Sequence, residues 1–163
     1  MSFLEPRDDD IVLTGFVRTP IGKFGGVFAG LTAADLGVSA AKGALAAAGV
    51  EAGDLDEVIF GCARQAGGGP NVARQIAWRS GAPASVPAFT VNKACGSGMK
   101  AIILASQAIR LGEARIVLAG GTESMSRVPY MLEGARWGLR MGDAPLVDGM
   151  YRDGFVDPIS GSR

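Results

Sequence analysis

The amino-acid sequence predicts an α/β domain built on a mostly parallel sheet. Along residues 11–123, four short apolar runs bounded by glycine and proline alternate with longer segments that have a helical pattern. This alternation is typical of right-handed strand-helix-strand units, in which helices cover a parallel sheet. The chain of 163 residues is long enough for one domain with a core of its own.

The first strand and the first helix are predicted from local signals. The apolar stretch "DIVLTGFV" predicts a buried strand at about Ile11–Val17. A helix is predicted at about Ala33–Ala48, because Thr32 followed three residues later by Asp35 resembles a capping box and Gly49 supplies a C-terminal stop.

The next two crossovers follow the same logic. A second strand is centred on Val58–Phe60, and the glycine-rich stretch after it leads into a helix that ends near Gly81. A third strand is predicted in "AFTV", a third helix at Ser97–Leu111, and a fourth strand in "RIVLAGGTE" at residues 115–123. The third helix has apolar residues almost all the way round, so it requires burial on more than the one side that a sheet can cover.

The remaining residues do not continue the pattern. Residues 1–10 are predicted to be a flexible leader. Residues 124–163 contain turn residues throughout without clear periodicity, and they are predicted to be an irregular segment that is functional or contacts something outside the domain.

Composition excludes several classes of function. Sixteen basic and 16 acidic residues give no net charge, and the basic residues are scattered, so neither nucleic acid nor a membrane surface is an expected partner. No targeting signal and no apolar run of about 20 residues is present, so a cytoplasmic location is expected. With two cysteines and no histidine, a metal site is not expected.

Cys95 is the candidate nucleophile. It lies between a predicted strand and a predicted helix, where free N–H groups and the helix dipole stabilise a thiolate. Gly96, Ser97 and Gly98 allow a sharp turn and give a substrate carbonyl access to backbone N–H groups that form an oxyanion site. The alternative is a buried structural thiol, and the residues alone leave both interpretations open. Cys62 is predicted to be structural.

Several motifs together resemble the N-terminal half of a thiolase of the acetyl-CoA acetyltransferase type. They are "GFVRTPIGKFGGVFAG", "PNVARQ", "VNKACGSGMKAI", "LAGGTESMSRVPY" and "DGMYRDG", in the order in which the family has them. The resemblance implies a thiolase-like layered fold with helices on both faces of the sheet. Residues 11–123 would form its N-terminal α/β domain without the last strand, and residues 124–163 would begin the loop-domain region.

The resemblance also implies a reaction. Cys95 matches the cysteine that takes an acyl group from an acyl-CoA, for thiolytic cleavage or for condensation to a 3-oxoacyl-CoA. Phe155 matches an apolar position near the coenzyme A arm. Coenzyme A thioesters would be substrates, and no metal or redox cofactor is needed because the thioester supplies the covalent intermediate.

The sequence departs from the family in lacking the C-terminal half, which carries the activating histidine and a second cysteine. The resemblance therefore implies a C-terminal thiolase half as partner, and homo-oligomers, as in the family. Three hypotheses remain: an acyltransferase half that needs its complement, a non-catalytic assembly module with a thiolase-like fold, and a redox-sensing thiol protein. The last lacks a resolving cysteine close to Cys95 in sequence.

Overall fold

The sheet of this protein has three parallel strands. A computed structural model describes residues 10–162, in which the strands are β1 (Glu57–Gly61), β2 (Ala88–Val91) and β3 (Val117–Gly121), in the order β2-β1-β3. Helix α1 (Ala33–Ala48) precedes β1, helix α2 (Val72–Arg79) connects β1 to β2, and helix α3 (Ser97–Arg110) connects β2 to β3. The α/β class and the parallel sheet are as predicted.

Helices cover both faces of the sheet, because successive side chains of a strand point to opposite sides. Val58 and Phe60 of β1 pack into a core that includes Ile76 of α2 and Leu45 of α1. Ile59, between them in sequence, packs instead against Ala101 and other residues of α3. The alternation along a single central strand therefore separates α1 and α2 on one face from α3 on the other.

The N-terminus of α1 is a capping box, as predicted. Thr32 Oγ1 accepts a hydrogen bond from the Asp35 N–H at 3.1 Å, and the Thr32 N–H donates to Asp35 Oδ2 at 2.8 Å. Arg79 of α2 donates to Asp35 Oδ1 at 2.5 Å, so the same carboxylate joins the two helices. The Arg79 hydrogen bond, with those from Thr32, lowers the pKa of Asp35 to about 2.

The strand predicted at Ile11–Val17 is absent. This segment has no regular secondary structure, and its large side chains face solvent, with Val12 72% and Phe16 80% exposed. A strand is stable only when its backbone N–H and C=O groups pair with a neighbouring strand. Within residues 10–162, no strand pairs with the Ile11–Val17 segment. In the same range β3 is paired on one side only, with β1.

The prediction that residues 124–163 are irregular is wrong in part. Strand β4 (Tyr130–Leu132) pairs antiparallel with β5 (Leu146–Asp148), and a single helical turn, α4 (Gly149–Arg152), follows. Asp148 caps this turn by accepting the Met150 N–H at 2.8 Å. Each strand has only three residues, which is too short for a periodic pattern to be recognised in the sequence.

Helix α3 is covered on one side only in the part of the chain that the structure describes. Ala101 and Ala105 are buried against the sheet, whereas Met99 is 71% exposed and Ile102 and Ile103 are also exposed. The predicted leader at residues 1–10 lies outside the described residues except for Asp10, and the predicted domain division at residue 123 stays a prediction. Among residues 10–162 no helix is long and apolar enough to cross a membrane.

Asp35→Asn is expected to destabilise the domain near neutral pH by about 1 kcal/mol, because the capping interaction is partly exposed and screened by solvent. The folded-state pKa of about 2 lies below the ordinary value of 3.8. The carboxylate therefore stabilises the fold above pH 4, and this stabilisation is lost as pH falls towards 2. Urea unfolding is followed by circular dichroism at pH 6 and at the lowest pH that keeps the domain folded. The difference in free energy of unfolding between wild type and variant should be smaller at the lower pH. Asp54→Asn, at an exposed position, is the control, and a pH-independent difference would contradict this account.

Candidate functional site

A cavity of about 560 Å³ lies at the carboxyl edge of the sheet, where the segments that follow all three strands converge. This edge is where parallel α/β sheets bind ligands. Its lining comes from separate segments of the chain and includes Gly61, Arg64, Cys95, Gly98, Glu123 and Phe155. Cys95 and residues 121–123, which follow β2 and end or follow β3, therefore line the same cavity.

A tight turn between β2 and α3 presents Cys95. Ala94 has a positive φ of 47°, a left-handed conformation that costs a non-glycine residue about 1 kcal/mol or more. The turn is closed by hydrogen bonds from Gly96 N–H to Lys93 O at 3.0 Å and from Ser97 N–H to Ala94 O at 3.2 Å. Cys95 therefore lies between β2 and α3, two residues before the first residue of α3.

Cys95 is a free, exposed cysteine on the wall of the cavity. The alternative interpretation of this residue as a buried structural thiol is therefore wrong.

The predicted supporting residues stabilise the turn. The Ser97 hydroxyl donates to Ala94 O at 2.6 Å and accepts the Lys93 N–H at 2.9 Å, so this buried side chain holds both ends of the turn. The N–H groups of Gly96 and Ser97 already donate within the turn. Their part in an oxyanion site, with that of Gly98, stays a prediction.

Glycines let α3 approach the strand ends closely. A Cβ added to Gly61 would lie 2.5 Å from the Gly98 amide nitrogen, and one added to Gly121 would lie 3.0 Å from the Gly98 Cα. Side chains at these positions would push the start of α3, and Cys95 with it, away from β1 and β3.

Glu123 connects β3 to the segment after β1. Its carboxylate accepts the N–H of Ala63 at 3.0 Å and that of Arg64 at 2.8 Å, and the Cys62 thiol lies 3.4 Å from Oε1. Burial raises the pKa of the Cys62 thiol to about 12, with further contributions from the charge and the hydrogen bond of Glu123. Cys62, only 1% exposed, is a neutral structural thiol, as predicted.

The structure brings Phe155 to the cavity and adds Arg64, which the sequence analysis missed. Phe155 is about half exposed, and the Arg64 guanidinium lies 5.2 Å from its ring centroid. Arg64 directly follows the end of a predicted strand in "FGCAR", which is the signal that could have identified it. Within residues 10–162, no group of three or more His, Cys, Asp or Glu residues is placed to hold a metal ion.

The family model described as "Thiolase, N-terminal domain" matches residues 11–162. The chain belongs to the thiolase family. It spans a little over a third of the length of the thiolases it matches. It is 50% identical over 151 residues to an acetyl-CoA acetyltransferase from Pseudomonas aeruginosa, covering 93% of this chain and 38% of that protein. It is 52% identical over 148 residues to another from Cupriavidus necator, covering 91% and 38%.

Solved structures show the same fold. A thiolase from Ascaris suum in complex with coenzyme A has a TM-score of 0.84 and 41% identity, covering 89% of this chain and 37% of that one. An acetyl-CoA acetyltransferase from Bacillus anthracis also has a TM-score of 0.84, with 39% identity and coverage of 89% and 36%. The three-stranded parallel sheet with helices on both faces is thus part of the thiolase fold.

Iodoacetamide is expected to alkylate Cys95 at least ~100-fold faster than Cys62 at pH 8, because alkylation requires an accessible thiolate. Cys62 is buried and its raised pKa keeps it protonated at that pH. Peptide mass spectrometry over a time course measures both rates. Cys62 should become reactive in 6 M urea, and equal rates without urea would contradict the assigned burial.

Gly61→Ala is expected to destabilise the domain by about 2 kcal/mol or more, because the added methyl group meets backbone atoms of Ser97 and Gly98 that cannot rotate away. Gly53→Ala is the matched control, since an added Cβ there meets no atom within 4 Å. Thermal unfolding compares the two, and similar melting temperatures would show that α3 does not depend on this contact.

Proposed function

We propose that this thiolase domain supplies the acyl-accepting nucleophile of an acyltransferase that acts on coenzyme A thioesters. The observation that carries the proposal is the exposed Cys95 thiol on a cavity at the carboxyl edge of the sheet, held by a strained turn at the start of α3. The names of the relatives from Pseudomonas aeruginosa and Cupriavidus necator, acetyl-CoA acetyltransferase, support the same class of reaction.

In the first step the Cys95 thiolate attacks the thioester carbonyl. The bond from the carbonyl carbon to the coenzyme A sulfur breaks, coenzyme A leaves as a thiolate, and the acyl group rests on Cys95. In the second step either coenzyme A removes the acyl group, as in thiolysis, or the enolate of a second acyl-CoA attacks it to give a 3-oxoacyl-CoA. These exchanges need neither a metal nor a redox cofactor.

The base is proposed to come from a C-terminal thiolase half, which would supply a histidine and a second cysteine. Two observations support this part of the proposal. The chain has no histidine for proton transfer near neutral pH. The apolar side of α3 that carries Met99 and Ile103 is uncovered in the part of the chain that the structure describes. Homo-oligomers and a cytoplasmic location stay predictions.

The test uses a hybrid protein in which residues 1–163 are joined to the remaining C-terminal part of the Cupriavidus necator relative. Incubation with acetyl-CoA should add one acetyl group to Cys95, detected by intact mass and peptide mapping. Cys95→Ala should abolish this modification and reduce acetyl transfer by about 10³-fold or more. Cys62→Ala, at the structural cysteine, should keep the modification.

A second candidate function, a non-catalytic assembly module, is favoured by the lack of histidine together with the open side of α3. The same experiment separates the two. A folded hybrid whose Cys95 is never acylated, and whose activity is unchanged by Cys95→Ala, would refute the acyltransferase and favour the module.

A further inference from the structure

The backbone of Arg64 is fixed at the edge of the Cys95 cavity. Its N–H donates to Glu123 Oε1 at 2.8 Å, and the neighbouring Ala63 N–H donates to Oε2 at 3.0 Å. The Asn92 side-chain amide donates to Ala63 O at 3.2 Å. Three hydrogen bonds from outside the segment therefore determine where the Arg64 side chain begins.

The guanidinium group of Arg64 is also held in place. It lies over the Phe155 ring at 5.2 Å from the centroid, and Nη1 is 3.4 Å from Asp153 O, a long hydrogen bond. A Cβ added to Gly154 would overlap the guanidinium, so the group packs directly against the backbone at this residue. Arg64 is thereby a fixed cation on the wall of the cavity that Cys95 also lines.

The positive charge of Arg64 has no counter-ion within residues 10–162. The ion pairs among these residues are Arg79 with Asp35, Arg115 with Asp56, and Arg152 with Glu133. Glu123 lines the same cavity, but its carboxylate accepts two backbone N–H groups and lies within ion-pair distance of no basic side chain among residues 10–162. Arg64 Nε is buried and has no hydrogen-bond partner within residues 10–162, so an anion in the cavity would contact the outer guanidinium nitrogens instead.

We propose that Arg64 makes the Cys95 cavity selective for thioesters whose acyl group carries a carboxylate. The proposal rests on the proposed acyl transfer and adds its substrate class, the monothioesters of dicarboxylic acids. A carboxylate is the acceptor that a planar guanidinium binds best, with two parallel hydrogen bonds. Nη1 of Arg64 makes only the long hydrogen bond to Asp153 O, and Nη2 donates to none of residues 10–162.

The phosphates of coenzyme A offer an anion of related chemistry. Arg64 lines the same cavity as Cys95, the residue on which the acyl group would rest, and the proposal assigns the anion to that acyl group. The second experiment below separates the two sources directly.

The first experiment measures the charge at Cys95 in the chain itself. An anionic methanethiosulfonate (sulfonatoethyl) and a cationic one (trimethylammonioethyl) each form a disulfide with the Cys95 sulfur and release methanesulfinate. The ratio of the anionic to the cationic rate constant should fall about fivefold in Arg64→Gln, because one positive charge is removed from a partly hydrated cavity. Dividing the two rate constants cancels any change in the fraction of thiolate.

Two variants complete this experiment. Arg64→Lys should keep most of the wild-type ratio, because it retains the charge. Arg110→Gln removes an exposed arginine at the opposite end of α3 and should leave the ratio unchanged. A ratio that is the same in wild type and Arg64→Gln overturns the proposal, whether or not Cys95 transfers acyl groups.

The second experiment tests the substrate class in the hybrid protein described above. Succinyl-CoA and butyryl-CoA have the same chain length and the same phosphates, so their relative rates of Cys95 acylation isolate the effect of the carboxylate. Wild type should favour succinyl-CoA, and Arg64→Gln should lower the ratio of succinyl to butyryl transfer by about tenfold or more. Cys95→Ala provides the rate of uncatalysed hydrolysis to be subtracted.

The same pair of acyl groups on N-acetylcysteamine, which lacks phosphates, completes the test. Persistence of the Arg64-dependent preference assigns the anion to the acyl group, whereas its loss assigns Arg64 to coenzyme A and overturns the proposal. If neither thioester acylates Cys95 while the thiosulfonate ratio still depends on Arg64, the acyl-transfer proposal fails. The proposed substrate class then fails as well, but the result still shows that Arg64 makes the Cys95 cavity more positive.

Discussion

The position of Cys95 depends on the close approach of the α3 N-terminus to the ends of β1 and β3. Backbone can meet backbone at this distance only where side chains are absent, which is the physical reason for Gly61 and Gly121. The short path from β2 into α3 then forces the turn through the left-handed conformation of Ala94. A cost of about 1 kcal/mol or more at that residue is offset by the burial of α3 against the sheet. The exposed position of Cys95 is a consequence of this packing.

Glu123 has a comparable role on the other side of the cavity. It follows β3, yet its carboxylate organises the segment after β1 by accepting the N–H groups of Ala63 and Arg64. Both edges of the cavity are thus fixed by interactions between neighbouring strand ends. The same carboxylate contributes to the raised pKa of Cys62, so one acidic residue helps to keep one cysteine neutral while the other stays exposed.

The features that the sequence could predict are those that local residues determine. The capping box of Thr32 and Asp35 needs only residues three apart, and the strand-helix alternation needs only short windows. The strand at Ile11–Val17 could not be decided in this way, because an apolar run becomes a strand only beside another strand. Arg64 was missed for a related reason. Nothing next to it in sequence shows that Glu123 and Phe155, which are distant in the chain, fix its backbone and its guanidinium.

The proposed acyl transfer and the exposed side of α3 both require a further polypeptide segment. Thioester exchange at neutral pH requires a group that accepts and returns protons, and a chain without histidine has no side chain with an unperturbed pKa suited to that task. Helix α3 begins just after the nucleophile, and its outward side carries Met99, Ile102 and Ile103 in solvent, where large apolar side chains gain nothing. A polypeptide that covered this side of α3 would reach the mouth of the Cys95 cavity, because both lie at the start of the same helix. If the proposed acyl transfer holds, one docking event would both bury the exposed apolar surface and bring the proposed base to Cys95. Assembly of the site and burial of α3 would then be a single energetic step.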